Sequence, residues 1–162
     1  MLTNVPATIS ALESSGHTKE YILNYLVKHN NVLLHGSRVN ISSPFLRSSR
    51  NGKIFATNDA RIAILKAIFS NRGLKPPGLE YPYIINERNP LTLRIHGINN
   101  KTIGDIGFVY IISEIGSFVN IPQGSWQYVK KNENVSFSDR LEILRSDFIY
   151  PVYDVTNRRK IQ

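Results

Sequence analysis

Three short segments of this chain concentrate residue types able to hold a polar ligand. Val32-Leu33-Leu34 runs straight into His35-Gly36-Ser37-Arg38: an imidazole, a residue without a side chain, a hydroxyl and a guanidinium at the exit of an apolar strand. Gly52-Lys53-Ile54-Phe55-Ala56-Thr57 then feeds Asn58-Asp59 and a helical stretch, and Asn132-Glu133-Asn134-Val135 sets a carboxylate among the later strands. At Gly36 the missing Cβ lets backbone approach a planar group closely. Each segment also has a plain structural reading. VLLHGS is equally a buried strand ending in a turn, FATNDARIAILKAI a capped amphipathic helix, and KKNEN an exposed hairpin turn. Other chemistries are poorly served by the residues present. Gly104 and Gly107 lack the spacing and following helix of a phosphate-binding loop. The histidines at 17, 29, 35 and 96 have no i,i+4 pairing for a metal, so no metal site is expected. No G-x-S-x-G nucleophile elbow occurs, and the absence of cysteine removes thiolate catalysis.

Taken in order, the three segments resemble those of the ADP-ribosyltransferases, most closely the poly(ADP-ribose) polymerase-like branch. That branch carries a His-Gly-Ser-Arg-like segment, a Gly-(aromatic)-Phe-Ala segment leading into a helix, and an Asn-Glu-containing third one. The likeness is confined to these stretches between residues 32 and 135. It implies an α+β fold: a split antiparallel sheet with an N-terminal helix, a helix after the second strand, and NAD in the cleft between the halves. It further implies that His35 and Ser37 bond ribose hydroxyls and that the amide and carbonyl of Gly36 hold the nicotinamide. Arg38, Phe55 and Thr57 are then expected to line the same cofactor site, with Glu133 and His35 as the catalytic pair. Cleaving the nicotinamide–ribose bond passes through an oxocarbenium-like transition state, so a carboxylate must face the developing positive charge. The implied reaction releases nicotinamide and transfers ADP-ribose to a macromolecule or to water. The chain departs from the family where tyrosines usually stack on the nicotinamide, since Ile54 and Phe55 stand in the strand and Leu65 in the helix. That departure keeps open a catalytically inactive module of the same fold, binding NAD, ADP-ribose or nucleic acid. The RNA 2′-phosphotransferases of the same fold family rely on several arginines, of which only Arg38 is obviously placed here.

The elements that must position these residues follow from periodicity. Thr18 to Asn30 has the spacing of an amphipathic helix, capped by Thr18 and ending in Lys28 and His29, which suit its negative end. A strand is expected over 31–35, a polar loop over 37–51 anchored by the apolar 41–46, a strand over 52–57, and a helix from Asn58-Asp59 to a stop at Gly73. Lys75-Pro76-Pro77-Gly78 reads as a turn. Strands are expected over 81–85, 91–95, 107–112, 125–130, 136–144 and 148–155. His96 reads as strand-end structure, and Trp126 and Tyr128 as core or rim aromatics. Helices first and strands later predict α+β rather than a doubly wound parallel sheet.

A length of 162 residues suits one domain, expected over 1–157 with a helical segment over 1–30 and a basic tail at 158–162. The apolar runs are too short for a transmembrane helix, and the first residues lack the basic and apolar regions of a secretory signal. A cytoplasmic location is the default expectation. With 20 Lys+Arg against 12 Asp+Glu, the net charge of +8 predicts attraction to a polyanion, so nucleic acid or an acidic protein is the expected acceptor. A rival reading is an interaction protein whose basic face docks on an acidic partner without any use of NAD.

Overall fold

The computed structural model describes residues 4–48, 52–69, 83–86, 91–95, 103–121, 127–131, 133–156 and 158–161. Gly73, the 75–78 turn, His96, Trp126 and Asn132 lie outside the described residues. In chain order the elements are α1 (Val5–Ser14), α2 (Lys19–Asn30), β1 (Leu33–Ser37), β2 (Phe45–Leu46), β3 (Lys53–Thr57), α3 (Ala60–Ile68), β4 (Tyr83–Asn86) and β5 (Thr92–Ile95). There follow β6 (Ile106–Ile112), β7 (Val119–Asn120), β8 (Gln127–Lys131), β9 (Val135–Ser136), β10 (Asp139–Leu144), β11 (Val152–Asp154) and β12 (Arg159–Lys160). The fold is α+β. Its main sheet has six antiparallel strands in the order β10-β6-β1-β3-β8-β7. A second sheet, β12-β11-β5-β4, includes one parallel pair, β11 with β5, and β2 pairs with β9 separately.

The caps explain where the helices begin. Thr18 accepts the amide of Tyr21 and starts α2, which ends at Asn31 in the left-handed conformation (φ 52°) that asparagine tolerates better than most residues. The helix α1 was not expected as a separate element. It opens at Asn4, whose side chain accepts the Ala7 amide, with Pro6 in the first turn where its missing N–H costs nothing. At α3, Thr57 Oγ1 accepts the Asp59 amide and Asp59 Oδ1 accepts that of Arg61, so successive polar residues turn β3 into the helix within two residues.

The helix α3 is buried on nearly all sides, consistent with its apolar residues not being confined to one stripe. It shares one core with Val109 and Ile111 of β6, Leu141 and Ile143 of β10, α1, α2, and Leu93 and Ile95 of the second sheet. It ends at Ile68, earlier than the expected stop at Gly73. Phe69 is extended, bridges to Ile103, and meets Phe148 edge-on at 5.4 Å, while the Gly104 amide takes the Ile68 carbonyl. Tertiary partners for Phe69 override the helical pattern there. The other face of the six-stranded sheet carries a second core: Leu33, Ile54, Ala56, Tyr110 and Ile112, closed over by Leu46 and Val135 of the β2–β9 pair. The expected strand over 136–144 is therefore two strands, because Val135-Ser136 belong to this cover before the chain bends into β10. Among the described residues, no helix is long and apolar enough to cross a membrane.

Candidate functional site: the opening between β1 and β3

The strand β1 runs to Ser37, so His35, Gly36 and Ser37 lie inside it rather than beyond its exit. On one edge it is paired with β6 along its whole length, from Leu33↔Ile112 to Ser37↔Phe108. On the other edge it is in register with β3 at a single described position, Leu34↔Thr57. Past that point the ladder stops, and the β3-facing backbone edge of Gly36 and Ser37 is not part of it. The imidazole of His35 bridges the two strands there, its Nδ1 lying 2.6 Å from the Phe55 carbonyl oxygen. A carbonyl can only accept, so Nδ1 carries the proton and donates. Burial pushes the pKa of His35 below its ordinary value and outweighs the raising effect of the Phe55 bond. The ring is partly open at its surface yet closely surrounded by protein atoms, and neutrality leaves Nε2 as an acceptor for a ligand hydroxyl.

Strand parity divides the expected site residues between the two faces of the sheet. His35 and Ser37 lie on the face of Leu33 and Tyr110, under the β2–β9 cover. Phe55 and Thr57 lie on the opposite face, because Thr57 is in register with Leu34 of the helical core. Thr57 is buried, and its hydroxyl is engaged at the start of α3. Phe55 is 43% exposed. Ser37 Oγ accepts the Val39 amide at 3.1 Å, which leaves its O–H free to donate. Gly36 points its missing side chain at α3: a Cβ there would lie 2.1 Å from the Ala63 carbonyl oxygen and 2.8 Å from the Ala67 nitrogen. Arg38 lies against Gly104, where a Cβ would meet its Nε at 2.8 Å, and so turns toward the end of α3.

Glu133 follows β8, which is separated from β1 by β3. Its carboxylate is 67% exposed and forms an ion pair with Lys130 Nζ at 2.9 Å. The structure thus sets His35 and Ser37 on one face where the β1–β3 pairing stops, with Phe55 supplying a backbone carbonyl, turns the α-carbon of Gly36 to α3, and sets Glu133 apart from them. Among the described residues, no group of three His, Asp or Glu side chains is placed to hold a metal ion.

Sequence reading missed two residues that shape the site. Tyr110, fully buried on β6, donates its hydroxyl to the Val39 carbonyl and accepts the Ile41 amide, both at 2.7 Å. Arg140 on β10 bonds Asn40 Oδ1 and the Ile41 carbonyl and sits 5.7 Å from the centre of the Phe108 ring. Together they pin the chain leaving Arg38 back over the sheet. The alternation in Gly107-Phe108-Val109-Tyr110 marks a strand but says nothing of what a tyrosine hydroxyl will meet across the fold. No family model, curated protein or solved structure matches the chain.

Proposed function

We propose that this chain is an ADP-ribosyltransferase-type domain that takes the nicotinamide and its ribose from NAD, or the ribose of ADP-ribose, at the opening between β1 and β3. The observation that carries this reading is the unladdered backbone edge of Gly36 and Ser37, opposite β3, beside the neutral imidazole of His35. A planar carboxamide needs one donor and one acceptor side by side, and a free strand edge offers both. His35 Nε2 and the Ser37 hydroxyl then take sugar hydroxyls as acceptor and donor. A mostly antiparallel sheet whose ladder parts beside the His-Gly-Ser segment is what the resemblance implies for the fold, and supports it.

Whether the bound dinucleotide is cleaved turns on Glu133. Its exposure and its bond to Lys130 favour a domain that binds without transfer, because a stabilising carboxylate acts strongly only where water is excluded. The transferase reading has its own support: Lys130, the partner of Glu133, is in register with Ile54 of the second core, so the carboxylate is tethered on the sheet face that also carries His35. Thermal denaturation with and without NAD and ADP-ribose, together with a nicotinamide-release assay, separates these outcomes. Binding without turnover predicts stabilisation by millimolar ligand, lost in His35→Ala, and no nicotinamide release. Transfer predicts release that Glu133→Gln slows while the ligand-induced stabilisation persists. If neither ligand stabilises the protein and no nicotinamide appears, the assignment to this family of functions is wrong.

A further inference from the structure

The face of the sheet opposite His35 carries a second feature, independent of the dinucleotide reading. On that face Lys53 and Lys131 stand in register across the β3–β8 ladder. Directly opposed residues in antiparallel strands hold their Cβ atoms about 5 Å apart, and like charges so placed repel. Among the described residues neither lysine has an acidic partner, whereas Lys130, on the other face, is neutralised by Glu133. Two residues along β3 from Lys53, and so about 7 Å away on the same face, stands Phe55, 43% exposed, with Val129 in register beside it. Val119 of the edge strand β7 extends this surface and is 66% exposed. The backbone of α3 sits closest on β1 and β6, as the contacts at Gly36 and Gly107 require, and among the described residues Lys53, Phe55 and Lys131 remain exposed.

We propose that the outer face of β3, β8 and β7 is a binding surface for single-stranded nucleic acid, with a base stacked on Phe55 and a phosphate between Lys53 and Lys131. A flat aromatic next to paired ammonium groups offers a partner for the π face of any base and for the backbone charge that accompanies it. The opposition of two uncompensated lysines has no structural benefit, and a bridging phosphate turns that repulsion into attraction. A protein partner offering acidic side chains would satisfy the lysines but leave the exposed ring without a role. The overall charge of +8 supplies the long-range attraction.

Fluorescence anisotropy with labelled oligo(U) and oligo(dT), at several salt concentrations, tests the proposal. Saturable binding of either strand is expected, and the ratio of the two affinities identifies the preferred sugar. Replacing both lysines (Lys53→Gln with Lys131→Gln) is expected to lower the slope of log affinity against log salt by roughly 1.4, two single-strand contacts' worth. Phe55→Ala is expected to weaken binding by roughly fivefold or more with the slope unchanged. Lys28→Gln, at an exposed position of α2, removes one charge elsewhere and is expected to leave both unchanged. Melting curves of the lysine variants should match or exceed that of the parent, since a repulsion is removed, so lost binding is not lost folding. The proposal is overturned if no strand binds at 50 mM salt (roughly the low-salt regime in which such contacts are strongest), if the double variant keeps the parental slope, or if Lys28→Gln acts as strongly as either lysine. Tighter binding of duplex or of polyglutamate than of single strands overturns it as well.

Discussion

His35 bonds across the part of the sheet where the β1–β3 pairing stops, and burial favours the neutral form, in which Nδ1 donates and Nε2 is left unprotonated. Its folded-state pKa lies below the ordinary 6.5 because burial disfavours the cation. Below about pH 6.5 the unfolded chain binds a proton at this residue that the folded chain resists, so unfolding is favoured as the pH falls through that range. His35→Gln is therefore expected to flatten the loss of stability between pH 7 and pH 5 relative to the parent, measured by denaturant titration at each pH. Equal pH dependence in the two proteins would mean that the imidazole is not held neutral. Gly36 is constrained differently. Its α-carbon faces helix backbone rather than a movable side chain, so Gly36→Ala is expected to cost about 3 kcal/mol or more, as overpacking against a fixed wall does. The residue types at 35–37 were legible from sequence because they break an apolar run abruptly. The role of Gly36 in seating α3 was not, since its cause is a helix nearly thirty residues later in the chain.

At the scale of elements, the loop after β1 owes its path to Tyr110. Tyr110→Phe keeps the buried ring but strips the Val39 carbonyl and the Ile41 amide of a shared partner. The expected cost is about 2 kcal/mol by chemical denaturation, accompanied by faster hydrogen exchange over 38–41. A second hydroxyl, that of Tyr150, bonds both oxygens of Glu20 at 2.8 and 2.9 Å and ties the chain before β11 to α2. Burial, and then that bond, pushes its pKa up to about 12. The unfolded chain ionises at this residue near pH 10 while the folded chain keeps the proton up to about 12, so stability linked to the neutral phenol is complete below about pH 10 and is lost as the pH rises from 10 to 12; Tyr150→Phe is expected to flatten that alkaline loss, measured by denaturant titration at each pH. Sequence signals located α2 and the β3–α3 junction well, because Thr18, Asn31, Thr57 and Asp59 act on their immediate neighbours. They failed where distant contacts decide. The weak stripe of Val5, Ile9 and Leu12 conceals α1, and the bend at Phe137-Ser138 is set by pairing with β2 rather than by any local breaker. The face on which Phe55 lies was also hidden, because alternation fixes parity along a strand but not which parity meets the helices.

For the whole molecule, the α+β class was legible from helices preceding strands, while the six-strand order was not, since it places β8 and β7 beside β3 and β6 beside β1 through connections of many residues. The same order gives the two halves of the main sheet different footings. Glycines on neighbouring strands, Gly36 and Gly107, admit α3 so closely that a Cβ at Gly107 would lie 1.9 Å from the Ala67 carbonyl oxygen. Among the described residues, β3, β8 and β7 have no glycine that seats a helix in this way. Hydrogen exchange is accordingly expected to be slowest over 107–112 and distinctly faster over 53–57. The molecule is in effect a vise with one jaw bolted to its bench. The free jaw, which carries Lys53, Phe55 and Lys131 on its back, is held by strand pairing and by the β2–β9 cover on its front, so loosening that cover is expected to loosen this half of the sheet first.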